Sequence, residues 1–473
     1  MVFVLNQDFE THAECVGFVF ADLSQPERRL YYQYPIMRSR IALLAIILFS
    51  TFTFAQKNSV PKELLGMWDA SLNNSTEEVP FKLEIKDGKG KLSAAVWNGP
   101  EPWPFSSAKF EDGTLTLRFE QYDGTLTAKL QDGKLVGEYS RPYAKSVVRY
   151  PFTAKPPQVS STGRLQEVDG MGRHDYKVAG DWLYKLATSD GKTGETGVAE
   201  FRVLPHVNRR PAPFTGTLIP VSGDTGLLGG KIEGFANNLP FTLSRFDGIH
   251  VMLLKAEVQA DGSLKGTFES GKTARYTFTA TRKEAAKKED EPENPFELTK
   301  VKDPTEAFQF SAPNPRTGKP VSASDPAFKN KVVIVDIMGT WCPNCHDEEP
   351  LLVDLYNRYH KNGLEIVSLA YEYTDDAARN ARQIEIFRKK YNVPYPILIA
   401  GTTDDGQIAK TLPQLVGFGA YPTTIFVGRD GRVRKIHAGY TGPATGERFN
   451  QVQKEMDQIV RDLLKSPAAT AAR

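Results

Sequence analysis

Two cysteines two residues apart, Cys342 and Cys345 in Trp341-Cys342-Pro343-Asn344-Cys345, carry the most specific chemistry in the chain. They follow the β-branched apolar run Lys331 to Met338 and precede a stretch with Leu351, Leu352, Leu355 and Tyr356 at helical spacing. The pair is therefore expected at a strand-to-helix turn. Cys342 then falls at the helix N-terminus, where unpaired N–H groups and the helix dipole favour a thiolate. Cys345 lies about one turn further on and can reach the first sulfur, closing or opening a small disulfide ring. A nucleophilic sulfur and a second one to displace the bound partner are what thiol-disulfide exchange requires.

Other chemistries compete for these residues. With His346, the motif also satisfies the C-x-x-C-H pattern of covalent c-type haem attachment. The apolar strand just before it, Trp341 directly ahead and the later run Tyr421-Pro422-Thr423-Thr424 are not needed by a haem site, and they weigh towards exchange. A zinc site lacks a second cysteine pair, and His360 and His437 have no paired spacing. No metal is expected. A peroxidase would use a lone cysteine on its turn, and here there are two. The remaining alternative is a binding or scaffold protein whose N-terminal β-domains carry the role.

Elements on either side must hold this turn in place. After it, Glu365 to Tyr371 reads as a strand, Asp375 to Tyr391 as a helix, Pro396 to Ile399 as a short strand and Gly406 to Leu415 as a helix. A strand then opens at Tyr421-Pro422, a permitted place for proline because a strand's first residue need not donate to the ladder. Asp430-Gly431 and the strand Val433 to His437 follow. Asp336 sits inside the apolar run, where unpaired burial of a carboxylate is costly, so a proton-transfer role is favoured over a strand-end position. Glu348 lies among Asp347 and Glu349 near the helix N-terminus, where acidic residues also simply complement the dipole. Trp341 shields one side of Cys342.

These residues resemble the thioredoxin fold, and within it the TlpA-like and ResA-like thiol-disulfide oxidoreductases of the bacterial cell envelope. The resemblance spans about residues 303 to 464 and rests on Trp-Cys-Pro-Asn-Cys at 341 to 345, Tyr-Pro-Thr-Thr at 421 to 424 and the leading segment Phe308 to Phe328. It implies Cys342 as the exposed attacking thiolate and Cys345 as the buried resolving thiol. It implies Pro422 as a cis proline facing the disulfide, with Tyr421 and Thr423 aligning an extended substrate peptide. It further implies Asp336 as a proton relay to Cys345, Glu348 as an acidic residue tuning the pair, and Pro350 as the proline that kinks the helix. The expected activity is reduction of protein disulfides with no cofactor beyond the Cys342–Cys345 disulfide. Disulfide-containing proteins are the expected substrates, and a thiol-disulfide donor in the membrane is the expected source of electrons.

The wider composition fits that reading. The 473 residues hold 59 Lys plus Arg against 57 Asp plus Glu, a net charge of +2, with 25% charged residues, which argues against a chain-wide nucleic-acid surface and against wholesale disorder. Three cysteines in this length exclude a disulfide scaffold and a multi-site zinc protein. The run Ile41 to Phe54 behind Arg38 and Arg40 has the parts of a secretory signal peptide over residues 37–55 and is shorter than a membrane span. Export to the periplasm or cell envelope follows, with a signal anchor in the inner membrane as the alternative. A signal starting at Met37 makes residues 1–36, with Cys15, an upstream extension.

Between signal and exchange motif the pattern is all-β. Residues 60–155 and 176–282 each show short alternating strands closed by Asp-Gly and similar turns, expected as two antiparallel domains, sandwich or barrel. Gly66-Met67-Trp68 is echoed by Gly180-Asp181-Trp182, Phe110 to Gly113 by Phe246 to Gly248, and Asp132 to Gly137 by Asp261 to Gly266. These echoes point to a duplicated module. His174, His206 and His250 are scattered without ligand spacing, and Trp68, Trp97, Trp103 and Trp182 read as core packing ahead of a binding face. Residues 283–302 read as a charged linker before the α/β domain at 303–466.

Overall fold

The computed structural model describes residues 60–466 except 89, 101, 144–145, 158–176, 204–213, 233–239 and 286–293. The expected upstream extension with Cys15, the expected signal peptide, and His174 and His206 lie outside the described residues.

The first module is an antiparallel sheet of nine strands between Gly66 and Lys155, ordered 4-3-2-1-9-8-7-6-5 by position in the module. Its first strand pairs with its last, Asp69 opposite Lys155 through Leu72 opposite Phe152. Alternation puts Phe81, Leu83 and Ile85 inside and Lys82 and Glu84 towards solvent. Two hairpins turn at Asp112-Gly113 and Asp132-Gly133 with φ of 49° and 73°, and 48° and 73°. Positive φ at both central residues is the turn geometry that matches strand twist and favours Asp-Gly. The second module is a closed barrel of eight antiparallel strands from Gly180 to Arg282, shut by Trp182 opposite Arg282 through Ala187 opposite Thr277.

The duplication signal is clearest at one corner. Gly66 and Gly180 both have φ of 117°. Two residues on, the Trp68 indole N–H donates to the Leu64 carbonyl at 3.0 Å and the Trp182 indole N–H to the Val178 carbonyl at 2.9 Å. Both rings are buried in the cores. The echo at Asp112 and Asp247 is partial: both lie in hairpin connections followed by a glycine at positive φ, but Asp247 is fully buried and ion-paired with Arg245 at 2.7 Å. The modules share a core, since Phe246, Ile249, Val251 and Leu253 of the barrel pack with the first module's Phe81, Phe119 and Tyr139. Asn98 locks the seam with paired bonds to the Phe246 carbonyl, 2.7 Å, and N–H, 2.8 Å.

The α/β domain is a five-stranded sheet in the order Ile397–Thr402, Leu364–Glu372, Val332–Met338, Thr423–Val427, Val433–Ala438. Its central strand Val332–Met338 is buried at every residue, as its β-branched run requires. It runs parallel to Leu364–Glu372 and antiparallel to Thr423–Val427. The helices Pro343–Tyr359, Ala377–Tyr391 and Glu447–Lys465 pack on one face through Leu352, Leu355, Ile384, Phe387, Met456 and Val460. Phe308, Phe310 and Phe328 of the leading segment cover the other face.

Two expectations need correction. The linker does not reach residue 302: Asn294 caps a short helix Pro295–Leu298, and Lys300–Val301 pairs with Leu415–Val416. Phe296 meets the His437 ring at 4.8 Å, so an apolar anchor fixes this stretch to the domain. The helix expected from Gly406 to Leu415 is only Gln407–Thr411, because Pro413 cannot donate a helical N–H and Leu415 joins the small ladder instead.

Candidate functional site

The buried strand Val332–Met338 delivers the chain into the turn Gly339-Thr340-Trp341, and Cys342 caps the next helix. Its Sγ accepts the Cys345 N–H at 3.2 Å, with Pro343 at the first helical position where no N–H is needed. Both cysteines are free thiols and both are buried, Cys342 only 4% exposed. The Cys342 thiol also donates to the Tyr421 carbonyl at 3.5 Å, and the Tyr421-Pro422 bond beside it is cis. Trp341 stacks on Tyr373 with centroids 4.4 Å apart and meets Tyr421 edge-on at 5.2 Å. Cys342, Trp341, Tyr421 and Pro422 thus form one surface. Pro350 falls inside Pro343–Tyr359, where it cannot donate to the His346 carbonyl.

Thr423 does not join that surface with its side chain. Its hydroxyl donates to the Ala420 carbonyl at 2.8 Å and is fully buried, while its backbone pairs with Ile337 and Ala438. A small polar residue directly after the proline is used to close the turn, so the substrate role expected for it is corrected to a structural one.

Behind Cys345 lies a cluster of buried carboxylates. Asp336, 1% exposed, accepts from the Ser368 hydroxyl at 2.8 Å, and its Oδ1 has no protein partner. Burial pushes its pKa up to about 7, partly offset by the Ser368 bond. Glu348 accepts from the Thr424 hydroxyl at 2.6 Å, and burial first, then the Asp336 charge, raises its carboxyl well above the usual range. Glu349 accepts from Tyr395 at 2.5 Å and is pushed up to about 8 by burial and by Asp336. Burial also raises the Cys345 thiol, and the adjacent Cys342 sulfur and the Asp336 charge add to it. A protonated thiol beside a carboxylate that titrates near neutrality is an arrangement suited to proton transfer.

Three sets of side-chain bonds hold the turn, and of their residues periodicity alone does not reveal Glu372. Glu372, fully buried, accepts from the Thr340 N–H at 2.9 Å and hydroxyl at 2.8 Å. It is the last residue of the strand parallel to the one that leads into the cysteine turn, and the carboxyl ends of parallel strands are where such sites gather. The Trp341 indole donates to the Tyr371 carbonyl at 2.8 Å. His346 lies 2.9 Å from the Thr340 carbonyl through Nε2 and 2.9 Å from the Tyr391 hydroxyl through Nδ1. A carbonyl only accepts, so Nε2 carries the proton and Nδ1 accepts from Tyr391. Burial, and then Lys390, pushes the His346 pKa well below its usual value, which keeps the ring neutral. An imidazole whose Nε2 is spent as a donor inside the fold does not offer that nitrogen to an iron, which weighs against the haem reading.

In the β-modules Trp68 and Trp182 are buried as core packing. Trp97 donates to Glu84 at 3.3 Å, and the Arg245 guanidinium lies 5.8 Å from the Trp103 ring centre. His250 meets the buried Asp247 at 2.9 Å.

Residues 304–436 match the model of the AhpC/TSA family. The thiol-disulfide oxidoreductase ResA of Bacillus thuringiensis subsp. konkukian is 34% identical over 116 residues, covering 24% of this chain and 58% of ResA. ResA of Geobacillus thermodenitrificans is 30% identical over 124 residues, 26% of this chain and 62% of that protein. The chain thus matches about three fifths of the length of these relatives. Among solved structures, a thiol:disulfide interchange protein of the thioredoxin family from Chlorobium tepidum is 23% identical and aligns over 34% of this chain and 97% of its own, with a TM-score of 0.27.

Proposed function

We propose that the protein is an exported thiol-disulfide oxidoreductase that reduces protein disulfides in the cell envelope through Cys342 and Cys345. The observation that carries this reading is the free pair itself: Cys342 capping a helix 3.5 Å from the Tyr421 carbonyl, with Cys345 behind it among Asp336 and Glu348. The ResA relatives support the same chemistry, and the apolar run behind Arg38 and Arg40 supports export.

In the cycle, the Cys342 thiolate attacks one sulfur of a substrate disulfide. That S–S bond breaks, the other substrate sulfur leaves as a thiolate, and a mixed disulfide forms. Cys345 passes its proton towards Asp336 and attacks the Cys342 sulfur. The second substrate thiolate leaves, the substrate has gained two electrons and takes one proton from Cys345 and one from solvent, and Cys342–Cys345 is now a disulfide. A membrane dithiol donor returns the two electrons. The disulfide is the redox group, and no other cofactor enters.

Turbidimetric reduction of insulin by the full chain with dithiothreitol as donor tests the assignment. Cys342→Ser is expected to fall to the background rate, and a variant as active as wild type would overturn it. Equilibration with glutathione tests the direction. A potential near that of a strong oxidant, about −120 mV, would reverse the reductase reading.

A further inference from the structure

The attacking sulfur of a protein-disulfide reductase must meet a bulky partner, yet Cys342 is 4% exposed. Both β-modules lie on the face of the α/β domain that presents it. Asn344, between the two cysteines, binds the backbone of Asp224 in the barrel. In the amide orientation that satisfies both partners, it donates to the Asp224 carbonyl at 3.1 Å and accepts the Asp224 N–H at 3.2 Å. One residue earlier, Gly223 forms a parallel β-bridge with Tyr440. The Asp224 carboxylate, 5% exposed, accepts the Gly442 N–H.

The first module contributes from the other side. Tyr122, 3% exposed, sets its ring edge-on to His346 at 5.3 Å. Its neighbour Asp123 pairs with Arg379 at 3.3 Å and Arg382 at 3.8 Å. Tyr143 meets Tyr373 at 5.3 Å, and Tyr373 in turn stacks on Trp341. Further out, Arg448 of the last helix bonds to Glu200 at 2.6 Å and Asp181 at 3.3 Å of the barrel.

The Asp224 main chain is read on both its N–H and its C=O by one side chain, and Gly223 beside it is bridged to Tyr440, so the turn of the barrel is fastened to the segment that carries the cysteines. We infer that the β-modules are a docked cover over the dithiol, with the turn at Ser222–Asp224 latched onto Asn344 between the two cysteines. A protein disulfide then reaches Cys342 only when this segment yields, and the closed form guards the reduced pair against adventitious oxidation. The inference rests on the exchange reading of Cys342 for its purpose, and on the contacts alone for its geometry.

Alkylation of reduced Cys342 in the full chain, located by mass spectrometry, tests it. Gly223 has φ of +134°, and a side chain there collides with the Asn344 amide and the Tyr440 carbonyl, so Gly223→Val dislodges the segment. Arg448→Glu reverses the remote ion pairs. Each variant, with circular dichroism matching wild type, is expected to react with iodoacetamide about tenfold faster, equivalent to ~1.4 kcal/mol on the closed state. Unchanged rates in both would overturn the cover. Should either variant misfold, the unmutated chain decides: a maleimide carrying a long polyethylene glycol must react far more slowly than N-ethylmaleimide, and equal rates would overturn the cover. Fast alkylation without disulfide reduction in any variant would remove the exchange reading and leave the cover standing. Reduction by wild type with unaltered alkylation would do the reverse.

Discussion

The Ser368 hydroxyl donates to Asp336 Oδ2 at 2.8 Å and leaves Oδ1 without a protein partner on the strand that runs into the cysteine turn. A carboxyl so placed holds its proton in the folded chain to about pH 7 and releases it near 3.8 once unfolded. The folded value is the higher one, so its stability contribution is complete below about pH 4 and is lost as pH rises to about 7. At about 1.4 kcal/mol per unit this loss is ~4 kcal/mol at most. Asp336→Asn removes the titration, so urea unfolding should show the variant gaining on wild type between pH 4 and pH 7, with a constant difference above. The same variant should accumulate the mixed disulfide, because Cys345 loses its proton acceptor. A pH-independent difference in stability together with a normal resolution rate would show that Asp336 neither titrates there nor relays.

Glu372 anchors the loop that carries Cys342 by accepting both the N–H and the hydroxyl of Thr340. Glu372→Ala orphans two buried donors at about 1–3 kcal/mol each, so a loss of about 2–6 kcal/mol is expected. Glu372→Gln keeps one acceptor oxygen and should lose about half as much. Both should raise KM for a protein disulfide, since the turn that sets Trp341 beside Cys342 loosens. An alanine variant with the wild-type unfolding midpoint would mean that the Trp341 bond to Tyr371 holds the turn unaided.

What is legible in a sequence here is what neighbouring residues encode. The run Val332 to Met338 followed by Cys-Pro-Asn-Cys specifies a buried strand, a turn and a capped helix within about 15 positions, and the structure forms all three. Asp-Gly at 112 and 132 specifies hairpins in the same local way. The Asn344 hold on Asp224 joins residues far apart in the chain, and the Gly442 N–H finds Asp224 across 218 positions. No periodicity records a contact that exists only once folded modules dock. Glu372 is intermediate: its place at the end of a parallel strand is foreseeable, but its pairing with Thr340 depends on strand register. Thr423 misleads because the motif around Pro422 says that the turn faces the cysteines without saying which side chains turn inward.

The matching corners of the two β-modules make a symmetric prediction. Trp68 and Trp182 each follow a glycine at φ 117°, and each donates its indole N–H to a carbonyl four residues back. Trp68→Phe and Trp182→Phe each lose that bond, about 1 kcal/mol net, and leave a small cavity in a close-packed core. Similar losses of about 2 kcal/mol are expected in each. Trp182 carries one further contact, the Arg282 guanidinium 4.1 Å from its ring centre. Arg282 also donates to the Ala179 carbonyl at 2.6 Å, which ties the last barrel strand to the first. Phenylalanine offers a weaker face to a cation, so Trp182→Phe should cost up to about 1 kcal/mol more than its counterpart. Chemical denaturation of the two variants, with Arg282→Gln as the third corner of a double-mutant cycle, measures that excess. Equal losses at both tryptophans would mean that Arg282 closes the barrel through its carbonyl bonds alone.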